Sequence, residues 1–500
     1  MTTGAPHASE STETNSGLPT DFRDPTPESD TDLKRVLGSW DLVGLGFGAM
    51  IGFGWVVLTG GWIDTAGTLG AVIAMIIGGA IMAAVGLVYA ELTAAMPRAG
   101  GEFNYLARAF GSRTAFFGSW AIAGGYAAIV AFEAVALPRT IAYIWPDLNT
   151  GFSWEVAGSE VFLPWALVGA ITAVAVLTLN VIGVKQVGIA QNFVVFFLVA
   201  IGLVHVAGGV SFGELSNMEP LFADNPIGGI LAVVTVVPFL FVGFNVIPQA
   251  SEEAKVPAKR IGWLVVIAVA VSALWYVIIV LATSSAAPGD ELAAMDIATA
   301  DAMGKLWNSK FMANVLISAG IAGILTSWIA LLLGASRIIY VMGRGGMLPA
   351  WFGKLHPKFR TPANSILFVG LLSAVAPFFG ENMLGWLVDG GSALIIVAYA
   401  MVSFAFIRLR KIEPEMPRPI MAGGQKGGIP LGWLSTILCI GVFSLYMPGL
   451  ESALDIQPWI IFFLWWAIGI PLSLRTPKVS AAPDAPEQLL EIAKQRRLNK

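Results

Sequence analysis

GLGFGAMIGFGW (44–55) and VPFLFVGFNVIPQ (237–249) are the two stretches that decide the fold. Both are apolar enough to enter a bilayer, and both carry helix breakers: Gly52 and Gly54 in the first, Pro238, Gly243 and Pro248 in the second. Lipid offers a freed backbone amide or carbonyl no hydrogen-bond partner. Irregular backbone at membrane depth therefore survives only where protein buries it or it lines a cavity. Two interrupted segments at matching places in two halves of a chain point to the central site of a transporter. Close helix packing on small-xxx-small faces is the other reading of these glycines. It fits Gly44 and Gly48 well, whereas a break fits Gly52, Gly54 and Gly243 better.

Composition places the whole chain around these two stretches in a membrane. Hydrophobic residues are 56% of the 500 and charged residues only 12%. So few charges cannot cover a water-soluble globule of this size. A crossing helix needs ~20 mostly apolar residues. Segments that qualify run 40–63, 69–95, 114–145, 161–183, 190–210, 227–250, 261–285, 311–340, 363–380, 384–409, 430–448 and 457–474. The expected fold is thus an all-α integral membrane protein with 12 transmembrane helices. The interrupted stretches are spans 1 and 6, the first members of two five-helix blocks. An odd block length inverts its successor, which predicts a five-plus-five inverted repeat with broken helices 1 and 6.

An even number of spans puts both tails on one side. That side carries 26 of the 29 Lys and Arg, and the other only Arg139, Lys305 and Lys310. By the positive-inside rule the termini are cytoplasmic, in a cell membrane. Residues 1–37 read as a disordered acidic tail without a signal peptide, 38–474 as the transporter domain, and 475–500 as a polar tail with a short amphipathic helix at 486–498. Within the domain, 38–210 form the first repeat, 226–409 the second, and 430–474 the last two helices.

Other function classes lack their residues. One cysteine (Cys439) and three scattered histidines exclude a disulfide framework and a metal cluster. No cofactor and no nucleic-acid partner are expected. The chain contains no G-x-x-x-x-G-K-[ST] loop for nucleotide drive and no visible nucleophile–base pair.

Ionisable residues inside spans are costly and are functional candidates by default. Glu133 lies about nineteen residues into the third span, in IVAFEAVALP. It suits a substrate ammonium or a coupling proton. A structural carboxylate, or one paired with Arg139, is the bland alternative. His205 is a second proton candidate or a satisfied buried histidine. Ser318, Thr326 and Ser327 are hydroxyls that would suit sodium or bond back to their own helix. Asp41 fits a helix-start carboxylate. On the cytoplasmic side Glu91, Glu102, Glu252, Glu253, Lys255, Arg337 and Arg344 suit inner-gate ion pairs, with Glu91 and Arg337 closest to the spans.

Five stretches in order resemble one superfamily: GAMIGFG (48–54), YAELTAAMPRAGGEFNYLARAFG (89–111), FLFVGFNVIPQASEEAKVPAKRI (239–261), ASRIIYVMGRGGMLPAWFGKLHPKFRTP (335–362) and LVDGGSALIIVAYAMVSFAFIRLRK (387–411). Over nearly all of 38–474 the chain resembles the amino acid–polyamine–organocation superfamily of bacterial-type amino acid permeases. That resemblance implies an alternating-access carrier with its ligand between helices 1, 3, 6, 8 and 10. Ile51, Gly52, Phe53 and Gly54 would meet a carboxylate; Phe239, Phe241, Val242 and Gly243 would supply an aromatic gate and carbonyls for an amino group. Three departures stand out. Phe53 replaces the Ser or Thr common between the two glycines, Asn245 stands where relatives are often acidic, and the helix-5 lysine of some proton-coupled members is absent near Leu198.

Three functions follow as expectations: proton-coupled import of an amino acid, transport or exchange of an amine or polyamine, and binding without transport. Sodium is the less favoured coupling ion.

Overall fold

The computed structural model describes residue 35 and residues 37–498, with the side chains of 184–191 and 497–498 left aside. The expectation for the tail at 1–37 falls almost wholly outside these residues. Its last member does not: Leu37 forms a parallel bridge with Ala254, its N–H meeting Glu253 O at 2.9 Å.

The fold is all-α. Ten helical segments are long and apolar enough to cross a membrane: Ser39–Ala66, Thr68–Ala95, Ser112–Ile144, Leu163–Ile182, Asn192–Phe212, Ala258–Ser284, Lys310–Arg344, Met383–Ile412, Gly424–Leu445 and Ile456–Ser473. These occupy places 1 to 5, 7, 8 and 10 to 12 of the expected series and are numbered so below. Places 6 and 9 hold shorter apolar helices, Pro226–Leu240 and Ala363–Phe379. At 1.5 Å per residue the first is about 22 Å long, less than a hydrocarbon core, because the helix-6 break ends it early.

Contacts between helices carry the internal symmetry. Helix 2 packs on 7, 3 on 8, 4 on 9, and the second half of 1 on the first half of 6. Each pair is a helix and its counterpart five places on, as expected of elements near a pseudo-two-fold axis. Pairs away from the axis match too, since helix 10 packs on 3 as helix 5 packs on 8. Phe193, Phe196, Ile171 and Leu274 point outward as an apolar belt suited to lipid. Helix 12 is fixed to helix 3 by Trp120 and Trp465, stacked at 4.4 Å, each indole N–H donating to the other's carbonyl.

Small elements outside the spans were not foreseen: a hairpin, Ser153–Val156 with Ser159–Phe162, and short helices Glu102–Phe110 and Ala298–Leu306. The C-terminal helix is Ala485–Leu498.

Candidate functional site

Helix 1 stops at Met50 and restarts at Gly54; helix 6 stops at Leu240 and restarts at Val246. The two breaks touch. Gly243 has φ +148°, and a Cβ there would lie 2.7 Å from both the Gly46 oxygen and the Met50 nitrogen. Only glycine permits that approach at that φ. From helix 7 the Tyr276 hydroxyl bridges the two breaks, 2.6 Å from Met50 O and 2.9 Å from Leu240 O.

The breaks differ in what they leave free. In helix 1 the N–H groups of Gly52, Phe53 and Gly54 meet no acceptor among the described residues. In helix 6 the carbonyls of Phe241 and Val242 meet no donor, while the Gly243 N–H donates to Asn245 Oδ1 at 3.2 Å. One break thus presents donors and the other acceptors. The dipole of a half-helix start adds positive potential to the donor side.

Ser327 of helix 8 packs against the helix-1 break, where a Cβ on Gly52 would lie 2.6 Å from Ser327 Cβ. Its hydroxyl bonds Glu133 Oε1 and also lies 2.9 Å and 3.1 Å from the carbonyls of Gly323 and Ile324. Glu133 Oε2 has no partner among the described residues. Arg139, the alternative partner considered for Glu133, pairs instead with Glu381 at 2.8 Å. Leu198 touches Gly323 beside Gly52, so an apolar wall stands at the helix-5 place. His205 is elsewhere, two turns or about 10 Å further along helix 5; its Nε2 bonds Thr283 Oγ1 at 3.0 Å. The Thr326 and Ser318 hydroxyls donate to their own helix.

The aromatic candidates separate. Phe239 packs edge-on against Phe132 at 5.2 Å and against Gly391 of helix 10. Phe241 turns away to Tyr276, 5.5 Å between ring centres, and offers the break only its main chain. Phe53 is buried against Gly320 of helix 8. A cavity of about 440 Å³ opens at one end of the bundle, lined by Leu58, Trp62, Val236, Val388, Asp389 and Arg139 among others. Gly54, Phe239 and Gly391 each lie about one helical turn from one of the residues lining this vestibule.

At the other end, which carries the 2–3, 6–7 and 8–9 connections, Glu91 and Arg337 are not partners of one another. Arg337 pairs with Glu253 at 2.7 Å. Glu91 takes Arg410 Nε at 3.0 Å and Arg418 at 3.1 Å. Glu102, expected in an ion pair, has none among the described residues: its carboxylate takes the Tyr89 hydroxyl at 3.1 Å and the Gln249 amide.

The amino acid permease family model matches residues 37–469, from the bridge at Leu37 to helix 12. The chain belongs to that family. A methylthioribose transporter of Bacillus subtilis is 28% identical over 87% of this chain and 92% of its own length. A branched-chain amino acid permease of the same organism is 28% identical over 78% and 84%, and its aspartate-proton symporter 25% over 88% of each. Permease motifs account for the breaks. Tyr276 and the neutral setting of Glu102 were not foreseen: neither follows from a local pattern, because their partners lie 36 to 226 and 13 to 147 residues away.

Proposed function

We propose that this permease is a secondary carrier that imports an amino acid across the cell membrane by alternating access, coupled to protons, with both termini in the cytoplasm. The observation that carries the reading is the polarity of the facing breaks. Free amides at Gly52, Phe53 and Gly54 suit a carboxylate, and free carbonyls at Phe241 and Val242 suit an ammonium. A zwitterion satisfies both at once.

Glu133 is the candidate proton carrier. The Ser327 hydroxyl has one proton and three acceptors around it, two of them carbonyls that cannot donate. A proton on the Glu133 carboxyl, donated to Ser327 Oγ, completes the arrangement. A branched-chain permease and an aspartate-proton symporter among the relatives support the substrate class and the coupling.

Transport of an amine is the second reading, favoured by the unpartnered Glu133 Oε2. Thermal-shift pairs of each amino acid and its decarboxylated amine separate the two. A ligand at 100 times its Kd should stabilise the fold by about 2.7 kcal/mol. If only the amines stabilise, the carboxylate role of helix 1 is wrong. In proteoliposomes Glu133→Gln should keep counterflow and lose acceleration by an inward proton gradient. Unchanged uptake with an unchanged pH profile sinks the proton role, and binding without counterflow sinks transport.

A further inference from the structure

Three acidic side chains are buried at the loop-bearing end, and they are not alike. Glu91 has Arg410 and Arg418, and Glu253 has Arg337. Glu102, fully buried, meets only neutral side chains among the described residues. Tyr89 of helix 2 donates at 3.1 Å and Gln249 of the helix-6 exit donates its amide. Tyr126 of helix 3 and Tyr399 of helix 10 lie within electrostatic reach of the carboxyl without bonding it, and Tyr105 lies on its own short helix, its hydroxyl bonded to Thr93. Nearby cations are committed elsewhere: Arg98 to Glu487 and Arg108 to Glu413. A buried carboxylate without a cation costs far more than a neutral acid in the same place.

Glu102 is also connected to the substrate region. Asn245 accepts the Gly243 N–H with its Oδ1 and turns its amide toward Glu102 without reaching hydrogen-bonding geometry. One side chain therefore stands between the helix-6 break and this carboxyl. Gln249, four residues on, is held by Glu102 directly.

We propose that Glu102 is a second proton-binding site, distinct from Glu133, whose neutral form locks the helix-6 exit to the 2–3 connection and whose deprotonation releases it. This deepens the proton-coupled reading above and rests on it for its role in transport. Glu133 would take the proton beside the helix-1 break, and Glu102 would pass one to the side exposed when the loop-bearing end opens.

The sign of the pH effect follows. Burial raises the Glu102 carboxyl from 4.5 to about 7, against the lowering effect of its hydrogen bonds. The closed end therefore holds a proton that an opened, hydrated Glu102 would not. Closure is favoured most below about 4.5 and loses that advantage as pH rises to about 7.

The test uses the full chain in lipid and needs no substrate. Infrared difference spectra in a Glu133→Gln background, which removes that residue's own band, should show a protonated-carboxyl band that titrates near neutral pH and vanishes when Glu102→Gln is added. Maleimide labelling of Ser251→Cys, in a Cys439→Ser background, should rise over the same pH range. Measured relative to an exposed control thiol, whose own rate rises with its thiolate fraction, labelling in Glu102→Gln should stay at its low-pH ratio throughout. A band that survives Glu102→Gln, or labelling equally pH-dependent in that variant, overturns the proposal. Should Glu102→Gln not fold, Tyr89→Phe serves: it removes a donor to the charged form, so the band must move to higher pH, and no movement overturns the proposal. Failure of amino acid uptake with these results intact would overturn the transport reading alone.

Discussion

The two ends of the bundle are held by different physics. At the loop-bearing end the Arg337–Glu253 pair is 2% and 6% exposed. At the vestibule end the Arg139–Glu381 pair is 23% and 50% exposed and borders a cavity. Removing one partner of a buried pair strands a charge and costs about 3–5 kcal/mol, whereas an exposed pair contributes about 0–1 kcal/mol. The first end is therefore closed by a latch of buried charge pairs, and the second opens to a cavity. Under the alternating-access reading proposed above, transport has to release this latch.

Arg337→Met is the sharpest way to break this contrast. It leaves Glu253 buried without its cation, so the closed end should lose about 3–5 kcal/mol relative to an open one that hydrates the carboxylate. Two measurements read this. The thermal midpoint should fall, and maleimide should reach Ser251→Cys far faster in a Cys439→Ser background. If labelling stays slow, some other contact closes that end.

Between the two ends stands Tyr276, and its removal should have an intermediate effect. Tyr276→Phe keeps the ring against Phe241 and Trp62 but leaves the Met50 and Leu240 carbonyls without their shared donor. An orphaned buried acceptor costs about 1–3 kcal/mol. The loss should appear as a lower thermal midpoint, with loop-end labelling of Ser251→Cys unchanged, because the hydroxyl joins the breaks and touches neither end. Faster labelling would mean that the breaks and the latch form one cooperative unit.

Sequence reading was good where a local pattern carries the physics. The apolar runs and the breakers at Gly52, Gly54 and Gly243 follow from composition along a single segment. Pairing did not follow. Glu91 and Arg337 each belong to a buried ion pair, but with partners set by tertiary packing, Arg410 and Arg418 for one and Glu253 for the other. Helix 6 read as one span although its break leaves the first half short. In the sequence Glu133 stands out by its charge and Ser327 by its hydroxyl, and only the fold reveals that they bond. His205, equally suspicious by residue type, is bonded to Thr283 and belongs to a different part of helix 5. Residue type in a span thus nominates candidates, and geometry decides which of them act together.

Glu381→Gln probes the softer end and should do least. Arg139 keeps its bond to the Asp296 carbonyl at 3.1 Å, and Glu381 is half exposed, so water replaces much of what the pair supplied. The expected cost is about 0–1 kcal/mol, reduced further by salt. The thermal midpoint should move within its error at physiological ionic strength. A change in apparent substrate affinity with no change in maximal uptake would instead place Arg139 on the entry path, since the same side chain lines the vestibule. A loss of stability as large as that of Arg337→Met would remove the distinction between the two ends, because exposure would then no longer set the strength of the pair.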